Sequence, residues 1–172
     1  MFPISRRICV SNNSLTISKI MNLDGHILNK FYDEITSPSV QNVLILEDSE
    51  YRQKVFSEIY KDAENLYMTD TIEALAHQLY YEDWDCLMLD YDLSLNQDTE
   101  KNGFDAIVWL CDNVDRCPKL VIAHSEISTK AVEMLDILGD YVSDDNVLIQ
   151  IPFSVIDKTY KKMFRRIAEL EE

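Results

Sequence analysis

Strand-like and helix-like segments alternate along this chain from Gln41 onwards, and no other feature constrains its fold as strongly. Short apolar runs with the length of buried strands are each followed by a segment with apolar residues at helical spacing. Such βα units form a parallel sheet with helices on both faces, so we expect a doubly wound α/β domain. Its five predicted strands are 43–47, 66–68, 86–89, 120–123 and 147–149.

Residues 1–38 have a different texture from the rest of the chain. The segment 11–14 has the composition of a turn, and the segment 15–20 alternates polar and apolar residues as a short strand does. We therefore predict a small amino-terminal extension over 1–38, with a hairpin as one form of it, and a single α/β domain over 39–172.

The chain is strongly acidic, with a formal net charge of −15. This charge argues against direct binding to a nucleic acid backbone, because no basic patch offsets it. It favours basic protein partners. Two readings of the acidity remain open at this point, namely an ordinary solvated surface and a mimic of a nucleic acid that would inhibit a nucleic-acid-binding protein.

The cysteine pattern and the apolar runs bear on the compartment. The four cysteines show no zinc-ligand pairing, and two of them lie inside apolar runs, as free thiols do in a reducing cytoplasm. No apolar run is long enough to span a bilayer, and the first residues lack the apolar core of a signal peptide. We expect a cytoplasmic protein that does not bind membranes.

Acidic residues follow the first and third predicted strands. Glu47 and Asp48 close the first strand, and Asp90 and Asp92 follow the third. Because ligands of open α/β sheets bind beyond the carboxyl ends of the strands, we expect these four carboxylates to converge on one pocket. Their mutual repulsion would be costly without a cation, so the pattern predicts a site for Mg²⁺ or for Mn²⁺.

Each of these residues also has an ordinary structural interpretation. Glu47 and Asp48 can be the exposed end of a strand and the cap of the next helix, where carboxylates favour the helix dipole. A bend after Asp90 would separate Asp92 from it. His124, after the fourth strand, can be a satisfied histidine at a strand end.

The order of these residues resembles that of response-regulator receiver domains. The acidic pair after strand one, Asp90 after strand three and the Pro-Phe-Ser segment 152–154 after strand five all match. The resemblance implies the strand order 2-1-3-4-5, Mg²⁺ held by Glu47 and Asp48, and phosphoryl transfer to Asp90. Receivers carry a lysine directly before that proline. Here the position is Ile151, which argues against ordinary phosphorelay signalling.

A narrower group is more similar still, namely the receiver-like domains predicted to process cyclic phosphates. The matching segments are 89–93, 103–105, 109–110 and 124–125, together with Met134. The chain departs from this group at Tyr91, where a histidine is usual, and at Ile127, where an asparagine is usual. Receivers often pair through their fourth and fifth helices, so the resemblance also implies a possible homodimer.

The resulting hypothesis is a metal-dependent phosphoesterase acting on a small phosphate-containing ligand. Glu47, Asp48, Asp90 and Asp92 would hold the metal, and an aspartate or a metal-activated water would attack phosphorus. His124 would protonate the leaving oxygen, because its ordinary pKa lies near neutrality, and Ser125 would orient a phosphate oxygen. The alternative is a catalytically degenerate module that binds a partner or acts as a switch.

Overall fold

The computed structural model describes residues 40–93 and 101–170, apart from the side chains of Ser128 and 162–170. The predicted extension over 1–38 lies outside these residues, so the hairpin and the domain boundary stay predictions. The strands are β1 Asn42–Leu46, β2 Asn65–Thr69, β3 Cys86–Leu89, β4 Leu120–Ala123 and β5 Val147–Gln150. The helices are α1 Glu50–Ile59, α2 Ile72–Tyr81, α3 Gly103–Asp112, α4 Ser128–Gly139 and α5 Phe153–Leu170.

The five strands form one parallel sheet in the order β2-β1-β3-β4-β5. Both the fold class and the strand order predicted above are therefore confirmed. Each strand occupies the predicted apolar run to within one residue at either end. Strand β3 is buried along its whole length, as expected of a central strand covered on both faces.

Two apolar layers cover the sheet, and alternation along each strand decides which side chains enter which layer. Helices α2, α3 and α4 cover one face, over side chains such as Leu44 and Leu87. Helices α1 and α5 cover the other, where Phe56 is completely buried against Val43 and Met88. Each such fully buried aliphatic or aromatic side chain contributes about 1.5–3 kcal/mol of stability.

Local capping signals fix the starts of two helices. Thr71 is the N-cap of α2, and its hydroxyl accepts a hydrogen bond from the backbone N–H of Ala74. Asn102 and Asp105 form a reciprocal capping box at the start of α3. The backbone N–H of Gly103 donates a hydrogen bond to the carbonyl of Tyr91, so α3 begins directly beside the end of β3.

Candidate functional site

The residues that follow β1, β3 and β4 lie in a row across the sheet. Leu46, Leu89 and Ala123 are register partners at the ends of these neighbouring strands. The next residues are Glu47, Asp90 and His124, and alternation places all three on the face covered by α1 and α5. Three chemically active side chains are thereby brought to one edge of the sheet.

Glu47 is the most deeply buried carboxylate of this row, with no exposed surface. Its Oε1 accepts a hydrogen bond of 2.8 Å from the backbone N–H of Ser49. Burial raises the pKa of Glu47 to about 7, and the charge of Asp90 adds to this effect. The interpretation of Glu47 as an exposed strand end is therefore wrong. The N-cap of α1 is Ser49, whose side chain makes no capping hydrogen bond.

Arg52 in the first turn of α1 supplies a positive charge that the sequence analysis missed. Its Nη1 lies 2.7 Å from Asp90 Oδ2 and 3.5 Å from Glu47 Oε2. The guanidinium carbon lies 5.0 Å from the centroid of the Phe153 ring. A cation in the first turn of a helix is unfavourable because it opposes the helix dipole. The position of Arg52 was therefore the sequence signal that nearby carboxylates offset this cost.

Asp90 is almost fully buried at the floor of the site, with 2% of its surface exposed. Burial raises the pKa of Asp90, although the charge of Arg52 and hydrogen bonds from the Asp92 backbone and from Ser125 act in the opposite direction. The Asp92 N–H lies 3.3 Å from Asp90 Oδ1. Asp90 thus combines a largely desolvated position with a direct contact to the guanidinium of Arg52.

His124 is completely buried against Phe56, with the ring centroids 5.0 Å apart in an edge-on arrangement. Its Nδ1 lies 3.7 Å from Glu47 Oε2, which is too far for a hydrogen bond. Burial and the charge of Arg52 lower the pKa of His124 to about 3, so the ring is neutral near pH 7 and forms no ion pair. The backbone of His124 itself and that of Leu46 act in the opposite sense on this pKa, and neither forms a hydrogen bond of normal geometry with the ring.

A cavity of about 140 Å³ opens above this row. It is lined by Asp48, Arg52, Asp90, Asp92, Ser125, Glu126 and Ile127. The structure therefore brings Asp48, Asp90, Asp92 and Ser125 to one cavity, whereas Glu47 and His124 lie beneath it. The volume is well below the roughly 300–1,000 Å³ of sites that enclose a drug-sized ligand, so it suits a phosphate-sized group.

The donor atoms beneath the cavity suit a divalent cation. One ligand atom from each of Glu47, Asp90 and His124 can be chosen so that all three lie within 4.8 Å of one another. Carboxylate oxygens and a neutral imidazole nitrogen are common metal donors. The residues present thus fit a divalent metal ion, and the predicted ligand set of Glu47, Asp48, Asp90 and Asp92 stays a prediction.

The motif residues around the row have separate structural roles. Gly103 touches the end of β3, because a Cβ on it would lie 2.2 Å from the carbonyl oxygen of Asp90. Tyr91, Trp109 and Met134 pack in the layer on the other face of the sheet. Ile151 follows Gln150, the partner of Ala123, and is 94% buried, which leaves an apolar side chain where receivers have a lysine.

Comparison with known families decides what kind of domain this is. The sequence model of the cyclic-phosphate processing receiver domain matches residues 42–140, more than half of the 172-residue chain. The chain belongs to this family. The predicted similarity to cyclic-phosphate-processing receivers is thereby confirmed, and β1 to α4 of this receiver domain are the matched part.

Solved receiver structures resemble this cyclic-phosphate processing receiver domain distantly. The signal receiver domain of a putative LuxO repressor protein from Vibrio parahaemolyticus is 20% identical, with a TM-score of 0.47, over 75% of this chain and 92% of that one. A CheY-like receiver domain from Methylobacillus flagellatus is 13% identical, with a TM-score of 0.45, over 72% and 98%. No curated protein sequence matches the chain.

The structure bears on two of the expectations about the compartment, namely membrane-spanning segments and free cysteines. Over residues 40–93 and 101–170, the receiver domain has no helix that is both long and apolar enough to cross a bilayer. Cys86, Cys111 and Cys117 are free thiols. The cytoplasmic location itself stays a prediction, as do the expected homodimer and basic partner.

Proposed function

We propose that this receiver domain is a divalent-metal-dependent phosphoesterase that acts on a cyclic phosphate or another small nucleotide-like phosphate. One observation supports this above the others: the buried carboxylate of Asp90 shares one phosphate-sized cavity with Arg52 and with the more exposed carboxylates of Asp48 and Asp92. An anionic phosphate approaches carboxylates only where positive charge is available, and here Arg52 and a bound cation would both provide it.

The balance of charge around the cavity supports binding of a further cation. Five carboxylates, those of Glu47, Asp48, Asp90, Asp92 and Glu126, line the cavity or lie directly beneath it, beside the guanidinium of Arg52. When bound, a divalent ion would neutralise this charge and polarise a phosphoryl oxygen. Asp48, Asp90 and Asp92 line the cavity where the ion would meet the phosphate, and Glu47 lies directly beneath it.

The side chains at the cavity would then have distinct tasks. Asp90 faces the place where phosphorus would lie, and it would act as the nucleophile or as the base that positions an attacking water. Arg52 would turn from Asp90 to a phosphate oxygen. Ser125 would donate a hydrogen bond to a second oxygen, since it already donates towards Asp90. Ile127, 42% exposed at the rim, would contact the apolar part of the ligand.

A second candidate is a catalytically degenerate module that binds a partner or a ligand without turnover. The ion pair between Arg52 and Asp90 favours this candidate, because it already neutralises the residue expected to react. The sealed position of His124 favours it too, since a leaving group in the cavity could not reach the ring without rearrangement. The predicted role of His124 as a general acid therefore stays a prediction.

Hydrolysis assays separate the two candidates. Purified protein is freed of metal, resupplied with Mg²⁺ or Mn²⁺, and incubated with 2′,3′-cyclic nucleotides. The phosphoesterase should show metal-dependent turnover that falls at least about 100-fold in Asp90→Asn. Asp115→Asn, which alters an exposed carboxylate of the turn Val114–Arg116, should keep full activity. Metal binding without turnover by any of these proteins would favour the degenerate module.

A further inference from the structure

The imidazole of His124 is unusual among the buried groups of this domain. It has no exposed surface, and neither ring nitrogen has a hydrogen-bond partner among the residues that the structure describes. Buried polar nitrogens are normally paired, because leaving one unpaired in the interior destabilises the folded protein. A group that would complete the coordination of this ring is therefore expected at the site.

We propose that a transition-metal ion binds beneath the cavity in a mixed site formed by Glu47, Asp90 and His124, in preference to Mg²⁺ bound by oxygen ligands alone. This inference rests on the proposed function, because it names the ligands and the class of the metal for that same site. It also gives His124 a role as a ligand and not as a general acid.

The backbone places the three ligands on one line. Glu47, Asp90 and His124 directly follow the register-matched ends of three adjacent strands, and all three point to the face of α1 and α5. Strand ends in the middle of a sheet are rigid, so these side chains are positioned more precisely than the loop residue Asp92. The row therefore forms a preorganised part of a coordination sphere.

The distances require only a modest contraction on binding. His124 Nδ1 lies 3.7 Å from Glu47 Oε2, and the chosen donor atoms of all three residues lie within 4.8 Å of one another. Ligands bonded at about 2.0–2.2 Å stand at most about 4.4 Å apart across an ion. Small side-chain rotations would close the remaining gap.

Arg52 now stands where the ion would bind. Its Nη1 contacts both Asp90 Oδ2 and Glu47 Oε2, so guanidinium and metal would compete for the same two carboxylates. The side chain of Arg52 is 23% exposed, and this opening to the cavity allows it to turn away from the row. Its movement would both admit the ion and present the guanidinium to a phosphate in the cavity.

The donor types determine which ion is favoured. Mg²⁺ prefers oxygen ligands, whereas an imidazole together with two carboxylates suits ions such as Mn²⁺, Fe²⁺ and Zn²⁺. We expect Mn²⁺ and Zn²⁺ to bind on the order of tenfold more tightly than Mg²⁺.

Pulsed EPR of bound Mn²⁺ tests the proposal directly, because it detects nitrogen coupling from a ligated imidazole. The chain has three histidines, so the double variant H26Q/H77Q leaves His124 as the single imidazole. Metal-free H26Q/H77Q titrated with Mn²⁺ should show imidazole nitrogen coupling. The coupling should disappear in H26Q/H77Q/H124F, in which a phenylalanine replaces the buried ring next to Phe56.

The possible outcomes separate this inference from the proposed function. Tight Mn²⁺ binding without nitrogen coupling would overturn the mixed site and leave a phosphoesterase with oxygen ligands intact. An equal affinity for Mg²⁺ and Mn²⁺ would also overturn it. The absence of any divalent binding would overturn both proposals. If the triple variant does not fold, the coupling in H26Q/H77Q alone still decides, since His124 is there the one possible source.

Discussion

Arg52 and Asp90 form an ion pair across the carboxyl edge of the sheet, with Nη1 2.7 Å from Oδ2. The position where receivers carry a lysine is the buried Ile151, so the cation beside Asp90 comes here from the first turn of α1. The same guanidinium reaches Glu47 and lies over the Phe153 ring. A positive charge that offsets the carboxylates of Glu47 and Asp90 is thus present at this edge before any ligand binds.

Replacement of Arg52 by glutamine should destabilise the metal-free protein and tighten metal binding. Glu47 and Asp90 would lose their nearby positive charge, which should lower the free energy of unfolding by about 1–3 kcal/mol, less than for a fully buried pair because Arg52 is partly exposed. Mn²⁺ should then restore much of the loss. Urea denaturation with EDTA and with Mn²⁺ measures both effects.

Arg116→Gln is the matched control for this change. Arg116 lies over the Tyr80 ring, far from the cavity lining, and carries the same charge. It should change stability little and leave Mn²⁺ affinity as it is. An Arg52→Gln variant with unchanged metal affinity would contradict the competition between guanidinium and metal.

Replacement of Glu47 by glutamine should stabilise the metal-free protein at alkaline pH. The folded-state pKa of Glu47 is raised from 4.5 to about 7, so folding favours its protonated form. The stability contributed by that proton is present below about pH 4.5 and is lost as the pH rises towards 7. At pH 8 in EDTA the variant should therefore be more stable than the wild type by up to about 3 kcal/mol.

The pH dependence of this difference is the decisive measurement for Glu47. Unfolding free energies of both proteins are compared between pH 4.5 and pH 8, and the gap should widen up to about pH 7 and level off above it. Glu133→Gln, which changes an exposed carboxylate on α4, should show no such trend. A gap that stays constant with pH would mean that Glu47 is ionised throughout.

Replacement of His124 by phenylalanine should have the opposite pH signature. The folded-state pKa of His124 is lowered from 6.5 to about 3, so the unfolded chain takes up a proton first as the pH falls. As the pH falls below about 6, the free energy of unfolding of the wild type should therefore decrease by about 1.4 kcal/mol per pH unit relative to that of His124→Phe. Denaturant titrations at pH 6.5, 5.5 and 4.5 in EDTA test this.

His77→Phe is the control for the histidine change, because His77 is exposed on α2, where its ring contacts that of Tyr81. Its stability should run parallel to that of the wild type over the same pH range. Parallel curves for His124→Phe as well would indicate that His124 titrates normally, which its complete burial argues against.

Much of this architecture could be predicted because buried strands leave strong local patterns, whereas the strand order was predicted from the resemblance to receivers. Four- and five-residue apolar runs bounded by polar segments located β1, β3 and β4, and the acidic residues after them marked the functional edge. Asp105, at the end of the matching segment 103–105, is part of the capping box of α3.

The composition of the site was harder to predict, because it depends on which face each residue points to. The sequence analysis grouped Glu47 with Asp48, yet the two residues just beyond β1 differ in burial: Glu47 is completely buried beneath the cavity, and Asp48 lines it. Arg52 was missed because the sequence argument for α1 used only the spacing of the apolar residues, and Arg52 is not one of them. Its contact with Asp90 is made across 38 residues of sequence.

Gly103→Ala should disturb the site by pushing on the backbone of Asp90. A Cβ at this position would lie 2.2 Å from the Asp90 carbonyl oxygen and 2.9 Å from Tyr91 Cα, so backbone must shift. Such overpacking costs about 1–3 kcal/mol, and the displaced Asp90 should also bind Mn²⁺ more weakly. Ala106→Gly on the same helix should lower stability without weakening metal binding, because Ala106 packs away from the cavity on the other face of the sheet.

Thermal unfolding and Mn²⁺ titration of both variants separate the effect on stability from the effect on metal binding. If both variants lost stability and kept wild-type Mn²⁺ affinity, the close approach of Gly103 would serve packing and not the geometry of Asp90.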